Sequence, residues 1–175
     1  MAAASSPNVA VRPARPDDVG LLLKMFTELA VYEHLEHLLE ATEERIHEAL
    51  FGARPAAEGL IAWVDGQAAG YAIFFPTFST FLAIQGVWLE DLFVRPEHRG
   101  AGVGRALLAT VASSTRERGG ERLEWSALDW NELALGFYER IGAEQMNDWI
   151  THRLIGDPLH GLAAEAAPGT DPGRR

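Results

Sequence analysis

The stretch LEDLFVRPEHRGAGVGRALL, Leu89–Leu108, decides the fold, because an apolar run leads through a glycine-rich turn into a helix. Three glycines stand at the alternating positions 100, 102 and 104, between Arg99 and Arg105. A helix that follows such a turn exposes backbone N–H groups, which bind phosphate or pyrophosphate together with the positive end of the helix dipole. We expect glycine here because a Cβ would hold a phosphate away from the backbone. The stretch therefore predicts a strand, an anion-binding loop and a helix.

Three interpretations of this loop compete. A Walker loop requires a Lys-Ser or Lys-Thr pair after its last glycine, and no such pair follows Gly104. A dinucleotide fingerprint requires a third glycine where this chain has Arg105. A turn that only caps a helix stays open as the third interpretation. The densest basic cluster of the predicted folded part favours a phosphate ligand, and it comprises Arg95, His98, Arg99 and Arg105.

Outside this stretch the predicted elements alternate between strands and helices. Strands are predicted at residues 9–13, 60–64, 68–75, 83–94, 122–128 and 148–154, and helices from residues 16, 42, 103 and 132. The pair Asp65-Gly66 between two of the strands predicts a hairpin. The order βααβββαβαβ predicts an α/β (α+β) fold with a mixed central sheet flanked by helices. We expect one domain at residues 9–156, between flexible tails at 1–8 and 157–175.

The composition limits what the chain can do. A length of 175 residues with 47% hydrophobic residues suits one domain with an apolar core. The formal net charge of −10 argues against nucleic-acid binding, because phosphates repel an acidic surface. The chain has no cysteine, which excludes disulfides, thiolate metal sites and a cysteine nucleophile. No membrane-spanning run and no secretory signal are recognisable, so we expect a cytoplasmic protein.

Three segments of the sequence resemble the GNAT superfamily of acyl-CoA-dependent N-acetyltransferases. The loop matches the family pattern of Gln or Arg, two residues, Gly, one residue, and Gly or Ala. The matching segments are ELAVYEHLE (28–36), WLEDLFVRPEHRGAGVG (88–104) and DWNELALGFYERIGA (129–143). The resemblance extends over about residues 9–155 and implies the GNAT fold. Within the superfamily the chain is most similar to the diamine acetyltransferases, which include polyamine and thialysine acetylating enzymes.

The resemblance implies acetyl-CoA as the co-substrate and no metal. In this family the glycine loop grips the pyrophosphate, and the preceding strand hydrogen-bonds the pantetheine arm like an added strand. The matching residues here are Leu92, Phe93, Val94, Arg99, Gly100, Ala101, Gly102, Val103, Gly104 and Arg105, with Asn131 and Ala134 from the last segment. Asn131 is also a good helix N-cap, and the two roles can coexist.

Acetyl transfer requires a neutral amine, and Glu90 is the candidate base. The pKa of a lysine-like amine is about 10.4 and that of glutamic acid about 4.3, so direct proton transfer is uphill by about 8 kcal/mol. We therefore expect an ordered water between Glu90 and the amine, a raised pKa of Glu90, or a substrate amine of lowered basicity. The alternative roles of Glu90 are an anionic anchor for the ammonium and a solvent-facing strand residue.

Tyr138 matches the family's general acid, which protonates the leaving sulfur. With a pKa of about 10 for tyrosine and about 8.5 for a thiol, this transfer is uphill by only about 2 kcal/mol. The alternative is a core aromatic, because the same predicted helix is amphipathic. Phe137 already lies on the apolar line of Leu133 and Ile141, so we expect Tyr138 to point elsewhere.

On the substrate side the resemblance implies a group of acidic and aromatic residues, which suit a cationic ammonium. The candidates are Tyr32, Glu33, Glu90 and Asp91, together with Trp125 and Ser126. His34 and His37 are interpreted as surface histidines, because no third metal ligand stands near them at suitable spacing.

The sequence thus predicts an N-acetyltransferase that moves an acetyl group directly from acetyl-CoA to a primary amine of a small cationic molecule. Diamines, polyamines and thialysine-like compounds are the expected acceptors. The expected assembly is a homodimer, without nucleic-acid or membrane partners. The alternatives are the same fold acting on an antibiotic, an amino acid or a protein N-terminus, a non-catalytic acyl-CoA-binding protein, and a nucleotide-binding phosphotransferase.

Overall fold

The computed structural model describes residues 8–166 of the chain. Its strands are β1 (Val9–Pro13), β2 (Glu58–Val64), β3 (Gln67–Ser79), β4 (Ile84–Val94) and β5 (Arg122–Trp125). Its helices are α1 (Val19–Glu33), α2 (Glu43–Phe51), α3 (Val103–Glu117), α4 (Glu132–Arg140) and α5 (Gly156–Ala164). Short 3₁₀ helices lie at Pro16–Asp18, Glu36–Leu38 and Pro96–His98. The predicted α/β class is confirmed.

The five strands form one mixed sheet in which strand order follows chain order. Strands β1 to β4 pair antiparallel, whereas β4 and β5 run parallel. Parallel neighbours need a crossover connection, and α3 supplies it between β4 and β5. The strand that precedes the glycine loop is therefore the one at which the pairing changes direction.

Local turn and cap chemistry sets two element boundaries as the sequence predicts. The hairpin between β2 and β3 turns at Asp65 and Gly66, whose φ angles are 49° and 82°. A two-residue type I′ turn requires this pair of left-handed residues. Thr42 caps α2, because its hydroxyl oxygen accepts a hydrogen bond from the backbone N–H of Arg45 at 3.3 Å.

Helices cover both faces of the sheet. On one face Leu22 and Met25 of α1 lie in a buried cluster with Tyr71 of β3. Side chains alternate between faces along a strand, so Phe74 points to the opposite face from Tyr71. There the guanidinium of Arg118, the residue that follows α3, lies 6.0 Å from the centre of the Phe74 ring. The predicted sheet flanked by helices is confirmed.

The described chain divides into two compact units between Ser126 and Ala127. The first unit holds the sheet with α1, α2 and α3, and the second holds α4 and α5. The predicted strand at residues 148–154 is wrong, because this segment has no regular structure, and Trp149 and Ile150 are 73% and 80% exposed. Its aromatic and β-branched residues favour a strand only where a neighbouring strand pairs with them.

The C-terminal segment also differs from the predicted tail. Residues 157–164 lie in α5, so the observed element order ends in two helices where the sequence predicts a helix and a strand. Residues 1–7 and 167–175, which complete the two predicted tails, lie outside the described residues.

Candidate active site

Strand β4 loses its partner on one side before it ends. Strand β5 pairs with β4 only from Gly86 to Leu89, whereas β3 stays paired with β4 as far as Val94. In the described sheet, residues 90–94 therefore form an open edge on the β5 side. An open edge offers backbone N–H and C=O groups to an extended ligand.

The register decides which backbone groups point into this opening. The N–H of Arg95 donates to the carbonyl oxygen of Ala69 at 2.9 Å. Because hydrogen bonding alternates along an antiparallel pair, the backbone groups of Leu92 and Val94 point away from β3 and those of Phe93 point toward it. Leu92 and Val94 therefore have the orientation that a strand-like ligand needs, whereas the backbone of Phe93 is committed to the sheet.

The glycine loop ends in a helix start that no side chain caps. Gly102 is the N-cap of α3, and the N–H groups of the first helical turn, Val103–Arg105, have no partners within the helix. The φ angles of Gly100 and Gly102 are 79° and 84°, in the left-handed region. The structure thus adds a second reason for these two glycines to the expected close approach of a phosphate, because L-residues are strained in this conformation.

We expect Gly102→Ala to lower the free energy of unfolding by about 1–2 kcal/mol, because the new Cβ strains a left-handed residue. The matched control is Gly104→Ala in the helix, where the added Cβ would lie 3.5 Å from Cγ2 of Val94 in ordinary contact. Alanine favours a helix over glycine by up to about 1 kcal/mol, so the control should keep or gain stability. Urea unfolding of both variants checks this, and equal stabilities would contradict the strain at Gly102.

Arg95, the residue that follows β4, is tied to α1 by an ion pair with Glu28. Its Nε and Nη2 donate to the two carboxylate oxygens of Glu28 at 2.7 and 2.9 Å, and its Nη1 donates to the carbonyl oxygen of Ala68 at 2.8 Å. All three nitrogens therefore have partners within the protein. The predicted basic cluster loses Arg95 as a phosphate contact, and the remaining members are His98, Arg99 and Arg105.

Arg99 is held by the end of β4 and by the last turn of α1. Its Nε donates to the carbonyl oxygen of Val94 at 3.1 Å, and its guanidinium carbon lies 4.5 Å from the centre of the Tyr32 ring. Tyr32, predicted on the substrate side, thus contacts the arginine of the glycine loop. Arg105 is exposed on the first turn of α3.

A cavity of about 180 Å³ opens between α1, the segment that follows it, and the sheet. Its wall is mainly apolar, interrupted by two carboxylates and one phenol. The lining residues are Phe26, Leu29, Ala30, Glu33, Leu35, Leu38, Leu39, Tyr71 and Asp91. Two predicted substrate residues, Glu33 and Asp91, thus meet in one cavity although they lie far apart in the sequence.

Burial and mutual repulsion raise the pKa of the acids in this cavity. The pKa of Asp91 rises to about 6, first through burial and then through the charges of Glu90 and Glu33. Burial also raises the pKa of Glu33. The Tyr71 hydroxyl donates to Oδ2 of Asp91 at 3.4 Å, and burial next to this carboxylate raises the pKa of Tyr71 well above its ordinary value. A bound ammonium group would relieve this crowding of negative charge.

Glu90 lies in a β-bulge next to the cavity. Residues 73 and 74 are adjacent in β3 but pair with Asp91 and Leu89, so Glu90 is the extra residue of β4. The side chain of Glu90 is exposed, and its Oε2 accepts a hydrogen bond from Nε1 of Trp88 at 3.0 Å. The extra residue shifts the alternation of β4 so that Asp91 pairs with Ile73 and lines the cavity, whereas Glu90 lies outside its wall.

The two remaining predicted substrate residues of this unit lie where β4 and β5 part. Trp125 is the last residue of β5, is half-buried and pairs with Leu89. Ser126 follows it and is exposed. Neither side chain lines the cavity, so their contact with a substrate stays a prediction.

The second unit carries Asn131, Ala134 and Tyr138. Asn131 is the N-cap of α4, because its Oδ1 accepts from the N–H of Ala134 at 3.2 Å. The predicted capping role of Asn131 is confirmed, and its partner in the cap is the backbone of Ala134, the other predicted cofactor contact of this segment. Tyr138 is half-buried, and its ring centre lies 5.4 Å from that of Phe137. The cofactor and general-acid roles of these residues stay predictions.

Tyr71 is the site residue that sequence analysis missed. It stands in the apolar segment AAGYAIFF, which the sequence assigns only to a strand. Its side chain is fully buried, and its ring centre lies 4.9 Å from that of Phe26. The available signal was its hydroxyl group, because a buried tyrosine usually finds a hydrogen-bond partner for its O–H.

Residues 8–166 contain neither a cluster of metal-ligand side chains nor a membrane-spanning helix. His34 and His37 are exposed, as predicted for surface histidines. Within residues 8–166, no three side chains of histidine, cysteine, aspartate or glutamate form a group that could hold a metal ion. None of the helices in this part of the chain has the length and apolar character needed to cross a bilayer.

Known proteins resemble this chain over most of its length. The family model described as "Acetyltransferase (GNAT) family" matches residues 23–143, which contain the open edge, the loop and the cavity. L-ornithine N5-acetyltransferase of Arabidopsis thaliana is 30% identical, over 87% of this chain and 86% of that protein. Thialysine N-epsilon-acetyltransferase of Mus musculus is 30% identical, over 87% of this chain and 96% of that protein. An integron cassette protein of V. cholerae has a similar structure, with a TM-score of 0.74 at 25% identity. The similarity covers 89% of this chain and 97% of that protein.

Proposed function

The chain is an N-acetyltransferase that belongs to the acetyltransferase (GNAT) family, and we propose that it transfers the acetyl group of acetyl-CoA to a terminal primary amine of a small cationic molecule. The acceptor is a diamine, a polyamine or a thialysine-like amine. The cavity that contains Glu33 and Asp91 is the observation that carries this proposal.

The cavity has the chemistry of an alkylammonium site. Its carboxylates, Glu33 and Asp91, suit an ammonium group, and the aliphatic side chains of Leu29, Leu35 and Leu39 suit the methylene chain behind it. A volume of about 180 Å³ is below the roughly 300–1,000 Å³ of sites for drug-sized ligands. These features support a short flexible amine as the acceptor.

The names of the relatives support the same class of acceptor. One is named for the N5 amine of ornithine and the other for the Nε amine of thialysine. Both positions are amines at the end of a side chain. We therefore propose that the acceptor presents its terminal ammonium to the carboxylates of the cavity.

The donor is proposed to bind along the open edge and the loop. Acetyl-CoA supplies a thioester carbonyl that a neutral amine attacks. The first turn of α3 and Arg99 would hold its diphosphate, because uncapped N–H groups and a guanidinium both bind phosphate oxygens. The outward backbone groups of Leu92 and Val94 would bind its extended arm as an added strand.

The nitrogen loses two protons between the bound ammonium and the amide product, and the sulfur gains one. Glu90 would accept the ammonium proton through a water molecule, and because this relay leaves the roughly 8 kcal/mol between the two ordinary pKa values unchanged, the bound amine must also be less basic than in water. The second proton would leave the nitrogen after its attack on the thioester and balance the proton that the sulfur gains. Tyr138 would donate a proton to the sulfur as the carbon–sulfur bond breaks, and the resemblance of its segment to the family supports this role. No cysteine is present to carry the acetyl group, so transfer is direct.

Initial rates with acetyl-CoA and a panel of amines test the proposal. The panel contains putrescine, spermidine, thialysine, ornithine and lysine, with an aminoglycoside and a peptide N-terminus as competitors, and mass spectrometry identifies the product. We expect the highest kcat/KM among the first five compounds. Fastest turnover of a competitor would assign a different acceptor, and coenzyme A binding without turnover would indicate a non-catalytic binding protein.

We also propose that the chain forms a homodimer in the cytoplasm. This rests on the resemblance and on the absence of cysteine, which fits a reducing compartment. Sedimentation at micromolar concentration should give the mass of two chains. A monomer throughout that range would contradict the dimer.

A further inference from the structure

We propose that Tyr32 is a positioning residue for cofactor binding: its ring holds Arg99 in the conformation that receives the diphosphate. This inference rests on the proposed function, because it assumes that the glycine loop binds acetyl-CoA. It assigns to Tyr32 a role at the donor, in place of the amine contact that the sequence predicts.

Two contacts fix the guanidinium of Arg99. Its Nε donates to the carbonyl oxygen of Val94 at 3.1 Å, and its face lies 4.5 Å from the centre of the Tyr32 ring. The second distance is within the roughly 6 Å over which a cation is attracted to an aromatic face. In the described chain these contacts leave Nη1 and Nη2 of Arg99 without a hydrogen bond, and these two nitrogens form the fork that matches phosphate oxygens.

The same helix holds both ends of the turn that leads into the loop. Glu28 binds Arg95 through both carboxylate oxygens, and one helical turn later Tyr32 contacts Arg99. The turn from 95 to 99 is therefore attached to α1 at its first and last residues. Glu28 and Tyr32 are four residues apart, which places them on the same face of α1.

Neighbouring residues of α1 thus serve different ligands. Glu33 lines the acidic cavity, whereas Tyr32 is absent from its wall and contacts the loop arginine. The amine contact proposed at Glu33 and Asp91 lies in this wall, which Tyr32 does not join. The structure therefore separates the amine contact from the donor contact at adjacent positions.

The two contacts hold the Arg99 side chain in one conformation before the cofactor binds. A free arginine side chain loses rotamer freedom when it binds a phosphate, and a contact made before binding removes part of that cost. We expect loss of the ring to weaken coenzyme A binding by about three- to tenfold, the range of a partly buried cation–π contact. The KM of the amine and kcat at saturating donor should change by less than about twofold.

Calorimetric titration of coenzyme A into the full chain tests this inference. The variants are Tyr32→Leu, which removes the ring, Tyr32→Phe, which keeps it, and Val31→Ala, a control at the exposed neighbouring position. We expect weaker coenzyme A binding in Tyr32→Leu and wild-type affinity in Tyr32→Phe and Val31→Ala. In an Arg99→Ala background, Tyr32→Leu should cause no further loss.

The outcomes separate the inference from the proposed function. If wild-type protein does not bind coenzyme A, the proposed function fails and this inference fails with it. If wild-type binds and Tyr32→Leu binds equally well, only the inference fails. A raised KM for the amine at unchanged coenzyme A affinity would return Tyr32 to the amine site. If Tyr32→Leu weakens coenzyme A binding as much in the Arg99→Ala background as in the wild-type protein, the inference is also overturned, because Tyr32 would then act without Arg99.

Discussion

Replacing Tyr138 with phenylalanine is expected to lower kcat by about 10²–10³-fold and to leave the affinity for coenzyme A within about twofold of wild-type. The physical reason is the leaving group, because a thiolate that receives no proton in the transition state is expelled more slowly. The phenylalanine ring keeps the contact with Phe137, whose centre lies 5.4 Å from that of Tyr138, so α4 should fold normally. Steady-state kinetics and calorimetry measure the two quantities separately.

The matched control is Glu139→Gln, at the exposed position next to Tyr138. It removes a charge from the same helix and should change kcat by less than about twofold. Thermal unfolding of both variants shows whether the helix is intact. Unchanged turnover in Tyr138→Phe would remove the phenol from the mechanism and leave water as the proton source.

Replacing Asp91 with asparagine is expected to have two opposite effects. The KM of the amine should rise by about 10–100-fold, because a hydrogen bond to a charged group contributes roughly 1.5–3 kcal/mol. The free energy of unfolding near pH 7 should rise, by at most about 3 kcal/mol, because asparagine removes the cost of a buried negative charge. A variant that is more stable and binds the amine less tightly would identify Asp91 as a residue retained for function.

The sign of the stability change follows from the pKa of Asp91. In the folded protein this pKa is raised from 3.8 to about 6, so the folded state holds the proton more tightly than the unfolded state. The stabilisation from the protonated form is therefore complete below about pH 4 and is lost as the pH rises through 6. Asp91→Asn should flatten this part of the stability profile, which denaturant unfolding between pH 4 and 8 measures.

Amine binding should depend on pH in the opposite sense. The ammonium of the acceptor stays charged from pH 5 to 8, so the pH dependence of its attraction to the cavity comes from the carboxylates, chiefly from Asp91, whose pKa is about 6. In the wild-type protein the KM of the amine should rise as the pH falls below about 6. Asp17→Asn, at an exposed position, is the matched control and should keep the wild-type profile. The same KM profile in Asp91→Asn would exclude Asp91 from the amine site.

The turns and helix caps were predictable, because they depend on residues close by in the sequence. The turn at Asp65-Gly66, the cap at Thr42 and the cap at Asn131 follow from side-chain and backbone preferences within three or four residues. The strand at residues 148–154 failed for the complementary reason. Its composition suits a strand, but strand formation requires a partner that the segment itself cannot supply.

The acidic site was predictable only in its parts. Glu33 and Asp91 were candidates through the resemblance, yet nothing local indicated that Asp91 lines a cavity while Glu90 lies outside it. A single extra residue in β4 decides that difference, because a bulge changes the direction of the side chains that follow it. Tyr71, 20 residues away from Asp91 in sequence, joins the site through the register of β3 and β4.

By itself the sequence determined the strand, loop and helix of residues 89–108, because glycine conformation and helix starts depend on adjacent backbone. Only the tertiary structure decided how the arginines of this stretch are used. Arg95 is neutralised by Glu28, 67 residues earlier in the chain, while Arg99 is placed against Tyr32. Such pairings depend on the packing of a helix against a sheet, and charge and spacing along one segment carry no information about which distant side chain will stand opposite.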